Sequence, residues 1–138
     1  MPSLRVMFTH ISAERVSETT PAGIQFQTQL SVPSGDLLLN ERVLKVPFVF
    51  NMTSTPPIIS LTLKGYVVLE GEEKELRNIY EEIKKKRPPQ YIVMATLHNS
   101  MVEAILLSRE VGVPPPLPLP KIDALKPKVG RDYTLKTI

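Results

Sequence analysis

Two histidines, a few neighbouring carboxylates and one run of four bases are what this chain offers to chemistry, and their spacing argues against most of it. His98 and Ser100 stand two apart in a segment of helical period. Their side chains therefore diverge by about 200° and cannot pair as base and nucleophile. His98, on a mostly apolar helix, reads as a core or interface histidine. No HExxH, Walker A or GxGxxG pattern occurs, and Gly71 is followed by Glu72, Glu73 and Glu75, which would repel a phosphate. Cysteine is absent, which removes disulfides, thiolate catalysis and cysteine-ligated zinc together. Glu72 with Glu73 and Glu81 with Glu82 are adjacent on a predicted exposed helix, where carboxylates are ordinarily solvated. The expectation is a protein without catalytic residues, metal ligands or cofactor. A small-ligand enzyme assembled from remote groups is the third of three function classes.

The elements that would position any site change period two thirds of the way along. Ile24, Phe26, Leu30 and Val32 alternate with Gln25, Gln27, Gln29 and Ser31, the period of a half-buried strand, and Pro33 to Asp36 supplies turn residues. Leu44, Val46, Phe48, Phe50 and Met52 form a second alternating set, in which Pro47 implies an edge position or a bulge. Ile59, Leu61, Leu63, Val67 and Leu69 form the clearest third. The segment from Arg5 to Val16 alternates less well and is a candidate first strand.

From Glu72 the spacing of Leu76, Ile79, Tyr80 and Ile83 is that of an amphipathic helix. Acidic residues open it and Lys84, Lys85, Lys86 and Arg87 close it, which suits the helix macrodipole and makes the basic run a solvated terminus. A second helix is predicted over Pro89 to Val111, apolar most of the way round. One face should cover the sheet and another should meet a partner subunit or ligand, because a single sheet has no second layer to enclose it. A merely central core helix is the alternative.

Gly112 should stop this helix, and the proline-rich run to Ile122 cannot continue it. It reads as a stiff extended strap that buries Leu117, Leu119 and Ile122 on its own domain, or else as an exposed PxxP ligand. At 138 residues and 42% hydrophobic, the chain is sized for one domain with a real core. The longest uncharged apolar stretch, Pro88 to Val102, is short for a bilayer, and no secretory leader is visible, so a cytoplasmic protein without a membrane span is expected. The net charge of +3 lies in the tail: twelve basic residues balance twelve acidic ones up to Pro120, and five face two beyond it. A nucleic-acid binder would carry that surplus on its folded face, so nucleic acid is not the expected partner.

The order of elements and the strap resemble the SecB-like protein-export chaperones. The likeness runs from about Leu4 to Asp123 and is carried by Gly112, Val113, Pro115, Pro116, Leu117, Leu119, Ile122 and Asp123, by Gly65 inside the third clear strand, and by Arg109. The strap has one extra proline, its usual last one is displaced to Pro120, and the segment from Leu107 to Glu110 lacks the family's proline and aromatic. The resemblance implies an α+β fold: an antiparallel sheet of about four strands followed by two helices packed on one face, forming a single domain over residues 1–122 with a basic tail, 123–138, that need not be ordered. It also implies an ATP-independent holdase, a dimer or tetramer that binds unfolded or preprotein chains in a hydrophobic groove. Candidate groove residues are Val46, Phe48, Phe50, Tyr80, Tyr91, Met94, Leu117 and Leu119. Each buried apolar side chain contributes about 1.5–3 kcal/mol, ordering a client costs about 2–5 kcal/mol, and micromolar affinity needs about 8 kcal/mol, so roughly four to six client side chains must be held together. Bacterial members are acidic whereas this domain is neutral, which gives no basis for expecting their motor contact. The 14 prolines and the lack of cysteine suit a heat-tolerant protein and a distant, archaeal member of the family. The alternative is a non-chaperone assembly protein whose apolar helix and strap form only permanent subunit contacts.

Overall fold

Period-two alternation places one long apolar row per strand on the same side of a sheet, and two helices cover that side. The computed structural model describes residues 2–18 and 23–114, and the backbone of 133–137. Strands β1 (Ser3–Arg15), β2 (Gln25–Ser31), β4 (Val43–Thr55), β5 (Ile59–Glu70) and β6 (Tyr133–Thr137) lie in the order β1-β5-β4-β2-β6, and the short β3 (Leu38–Asn40) pairs with the start of β4. Every pairing is antiparallel. Helices α1 (Glu73–Lys84) and α2 (Gln90–Glu110) complete the core with Leu76, Ile79, Ile83, Ile92, Val93, Leu97 and Met101. The protein is therefore the α+β sheet-and-two-helix layer expected, with β6 an added strand inside the segment read as tail.

Registers align the inner face in rows, such as Val6, Val67 and Val46, or Ile11, Leu63, Phe50 and Leu30. Between two of these rows lies Gly65, opposite both Phe8 and Phe48. The two rings meet edge-on, 5.8 Å apart, and so fill the space that a glycine leaves. Gly65 must be glycine because a Cβ there would overlap the Met7 carbonyl and lie 2.9 Å from Phe8 Cα. The close approach coincides with a bulge in β1, where the register steps from Phe8 to His10 and leaves Thr9 as the extra residue. Before it Leu4, Val6 and Phe8 face the helices; after it Ile11, Ala13 and Arg15 do, opposite Leu63, Leu61 and Ile59. The weak alternation of Arg5 to Val16 is this change of phase. Without the bulge His10, Ser12 and Glu14 would face the core.

Pro47 sits in a central strand, yet its own position is a local edge. β3 pairs with β4 at Val43 to Lys45 and β2 pairs with it from Val49 onward, so neither strand reaches Pro47 on that side. Its carbonyl accepts the Ser34 amide at 2.9 Å, and its missing N–H deprives no ladder of a donor. Farther along, Ser54 holds the β4–β5 turn: its hydroxyl donates to the Pro56 carbonyl at 2.8 Å and accepts from the Ile58 and Ile59 amides at 2.8 and 3.2 Å.

Both helices end in paired 6→1 and 5→2 bonds. In α2 the Val113 amide reaches Ser108 O and the Gly112 amide reaches Arg109 O, with Gly112 at φ +73°. In α1 the Arg87 and Lys86 amides reach Glu82 O and Ile83 O, and here Lys86 takes the left-handed position at φ +62°. A side chain there is strained, so Lys86→Gly should raise stability by about 0.5–1 kcal/mol in urea unfolding. Gly65→Ala, by contrast, should lower it by about 1–3 kcal/mol or more, because the Met7 backbone has nowhere to move.

Candidate functional site

The helix α2 meets the sheet along a stripe of small residues, Thr96, Ser100, Ala104 and Ser108, all fully buried and four apart. Small side chains let the helix lie low on β1 and β5. Thr96 and Ser108 hydroxyls donate back to the Ile92 and Ala104 carbonyls at 2.7 Å, whereas the Ser100 hydroxyl has no partner among the described residues. His98, expected in a core or an interface, is exposed in the single chain, so it is not a core histidine.

The opposite side of α2 is the candidate site. Tyr91, Ala95, His98, Val102, Leu106 and Arg109 recur at intervals of three and four, so they share the face turned away from the sheet. Val102 is 56% and Leu106 44% exposed. α2 packs on β1, an edge strand, whose Ile11 is 48% exposed, and Val16, just beyond the strand, is 55% exposed. Ile11 belongs to the core side of the sheet by register, yet neither α1 nor α2 covers it. The apolar character of α2 on several sides thus divides into one face spent on the sheet and one left open in the single chain. By length and hydropathy α2 also passes for a bilayer span, although the buried face packed on the sheet marks it as a core helix.

Arg15 fixes where α2 ends. Its guanidinium donates to the Val111 and Gly112 carbonyls at 3.1 and 3.0 Å, and to Ser17 and Glu18 carbonyls at 2.8 and 2.9 Å. A cation on the last carbonyls satisfies acceptors the helix cannot satisfy itself and opposes the negative end of its dipole. Nothing in the sequence marks this role, because it depends on the bulge that turns Arg15 inward.

The expected groove residues separate into three groups. Val46, Phe48 and Phe50 are at most 1% exposed and belong to the closed core, so in this conformation they cannot touch a client. Alternation identified their apolar face but not that α1 and α2 would seal it. Tyr80, Tyr91 and Met94 are half-buried against the core. Lys84 Nζ lies 5.5 Å from the centre of the Tyr80 ring, and burial, then the Glu75 carboxylate, pushes the Tyr91 phenol above its usual value. Leu117 and Leu119, with Pro115, Pro116, Ile122 and Asp123, lie outside the described residues. At the start of the strap, Val113 is 2% exposed and packs into the core.

Polar chemistry gathers elsewhere without forming a site. His10 Nε2 is 3.1 Å from Ser12 Oγ on the open outer face of β1, a pair that strand spacing of two brings together. The same face carries Gln25, Gln27, Gln29, Asn51 and Thr62, with the Thr62 hydroxyl donating to Asn51 Oδ1 at 3.0 Å. No group of three or more potential metal ligands occurs among the described residues. A depression of about 600 Å³ lined by Leu37, Leu38, Leu39, Asn40, Val43 and Lys45 is shallow, and one near 550 Å³ is lined by Gly71, Glu72, Lys74, Glu75 and Asn78. The run from Lys84 to Arg87 is exposed.

Replacing Arg15 by methionine should cost about 1–3 kcal/mol, since the carbonyls of Val111 and Gly112 lose a charged donor, and hydrogen exchange should quicken at Gly112 and Val113 before the rest of α2. The raised Tyr91 phenol means that unfolding releases its proton more readily above about pH 10. Its contribution is present below that pH and is lost as pH rises, so Tyr91→Phe should soften the alkaline fall in melting temperature. Set against known proteins, the chain matches no family model, no curated protein and no solved structure.

Proposed function

We propose that this chain is a subunit of a homo-oligomeric, ATP-independent holdase that binds unfolded polypeptide, SecB-like in architecture, cytoplasmic and without catalytic residues or cofactor. The observation that carries the reading is the open apolar face of α2 beside the uncovered edge strand β1. Burying Val102, Leu106, Ile11 and Val16 against a second copy would contribute about 1.5–3 kcal/mol each at full burial, and somewhat less from their half-exposed starting point. In the resembled family, long helices and sheets join subunits in this manner, and clients occupy grooves that remain beside them. Tyr80, Tyr91 and Met94, together with Leu117 and Leu119 of the strap, are the groove residues of this proposal. Methionine adapts to varied neighbours, which suits Met94 to a client of no fixed sequence.

One observation favours the other reading, a non-chaperone assembly protein. With Val46, Phe48 and Phe50 sealed in the core, the expected groove residues still accessible among the described ones are Tyr80, Tyr91 and Met94, a short wall against which to hold roughly four to six client side chains. Clients would therefore need grooves that continue across subunits. Both readings share the oligomer, and neither calls on nucleic acid or a membrane.

Light scattering at tens of micromolar should give a dimer or tetramer. Val102→Asp with Leu106→Asp should shift it toward monomer with little loss of monomer stability, because both residues already face water. The holdase reading predicts that equimolar protein, without ATP, suppresses aggregation of a reduced, unfolded client. Unchanged aggregation with an intact oligomer would leave the assembly reading in its place.

A further inference from the structure

The strand β2, Gln25–Ser31, has the composition of an edge that invites pairing. It holds no charge, no proline and no glycine, it alternates Gln25, Gln27 and Gln29 with Phe26, Thr28 and Leu30, and it runs in unbroken register with β4. Edge strands ordinarily carry a lysine, a proline or a bulge that discourages a further strand. β1 has its bulge at Thr9. β2 has none of these, and glutamine-rich apolar alternation favours ordered stacking of strands. What covers its outer edge is β6, a five-residue strand joined to the domain through residues 115–132.

Pro47 marks the direction of the main-chain groups along β4. Its carbonyl points away from β5, to Ser34, so Val49, Asn51 and Thr53, two, four and six residues on, also point toward β2. They bond Ser31, Gln29 and Gln27. The intervening Phe26, Thr28 and Leu30 therefore turn their amides and carbonyls outward, to Thr137, Leu135 and Tyr133. Between strands of an antiparallel pair, alternate residues bond and the others do not. Thr134 and Lys136 point their amides away from β2.

We propose that the outer edge of β2 is an acceptor for an extended polypeptide strand, occupied in this chain by its own Tyr133–Thr137, which an unfolded client segment with apolar residues at alternate positions displaces. The proposal builds on the unfolded-chain reading and adds a second contact, in which main-chain bonds supply affinity independent of sequence. Belonging to the same chain, β6 acts at an effective concentration on the order of 1 mM. If β6 as a free peptide bound with a Kd on the order of 100 μM, it would fill the edge about nine tenths of the time, and removing it would tighten binding in trans about tenfold. A second copy's β6 at micromolar concentration competes poorly with the tethered one, so the occupant in trans is a client chain.

The test uses the full chain and a fluorescein-labelled synthetic peptide spanning Asp132 to Ile138, read by polarisation. Leu135→Pro removes the central amide facing Thr28, while Thr134→Pro places the same ring where no ladder bond is made. Leu135→Pro should bind the peptide about tenfold more tightly than Thr134→Pro or the unsubstituted chain. Equal affinity in all three overturns the proposal and leaves β6 a purely protective strand. Should Leu135→Pro not fold, hydrogen exchange on the unsubstituted chain decides: the Phe26, Thr28 and Leu30 amides should exchange faster than those of β4 and slow when peptide saturates. Exchange only through global unfolding overturns the proposal. Aggregation suppression without peptide binding would sink this proposal alone, and peptide binding without suppression would sink only the holdase reading.

Discussion

The contact between Gly65 and the backbone of Met7 and Phe8 is the constraint on which the rest of this structure turns. Only a glycine lets β1 pass so close to β5, and the passage is where β1 takes its extra residue. That residue reverses which side chains face inward. Ile11 and Ala13 join the apolar rows in place of His10 and Ser12, and Arg15 reaches the end of α2 in place of Glu14. A carboxylate at that place would face the helix's own carbonyls, a repulsion instead of a bond. One missing side chain thus sets the polarity of half a strand, and through Arg15 it fixes the point at which Gly112 turns the chain away from α2.

Once α2 is held at that end, its composition has consequences. The small stripe from Thr96 to Ser108 brings it onto the sheet, and Leu97, Met101 and Ala104 complete the burial. The positions left over are not only the polar ones expected on the solvent side of a two-layer domain; beside His98, Asn99 and Arg109 they include Ala95, Val102 and Leu106. A partly apolar outer face on the longer described helix, next to a strand edge left open among the described residues, is a surface with unspent hydrophobic contact. This is why assembly is the common ground of both functional readings. It is also why sealing Val46, Phe48 and Phe50 matters: the aromatic wealth of β4 stabilises the monomer and is not offered to anything else.

The sequence made the layer legible because its signals were local. Alternation in β2, β4 and β5, the charge gradient of α1, the proline at the start of α2 and the glycine at its end each sit within a few residues of the feature they specify. β1 was hard to read because its period breaks at Thr9, and the cause of the break lies across the sheet at Gly65. Pro47 announced an edge correctly, but the edge is only a gap between β3 and β2 within a central strand. The candidate site was less legible. Burial of Phe48 and exposure of Val102 are decided by which face the helices choose, and both residues look alike in a hydropathy pattern. His98 reads as a core or interface residue for the same reason, and its exposure in the single chain removes only the core. β6 carries a short alternating signal that a basic tail composition concealed.

The two margins of the sheet are managed by different physics, and the difference bears on how such a protein could bind chains without sequence preference. β1 is long and broken by a bulge, so a partner strand cannot run along all of it in one register; a stable contact there also needs apolar help from α2. That suits one fixed partner, a second copy of the subunit. β2 is short, regular and uncharged, and its pairing with β6 uses main-chain groups that every polypeptide possesses. Affinity from side-chain burial selects for apolar clients, whereas the main-chain bonds of a strand edge select for extension. A binder of unfolded chains has use for both, provided the edge is guarded when no client is present. A tethered strand of five residues meets that need: it covers the edge against other copies at micromolar concentration, yet it is short enough to yield to a client that also gains contacts elsewhere.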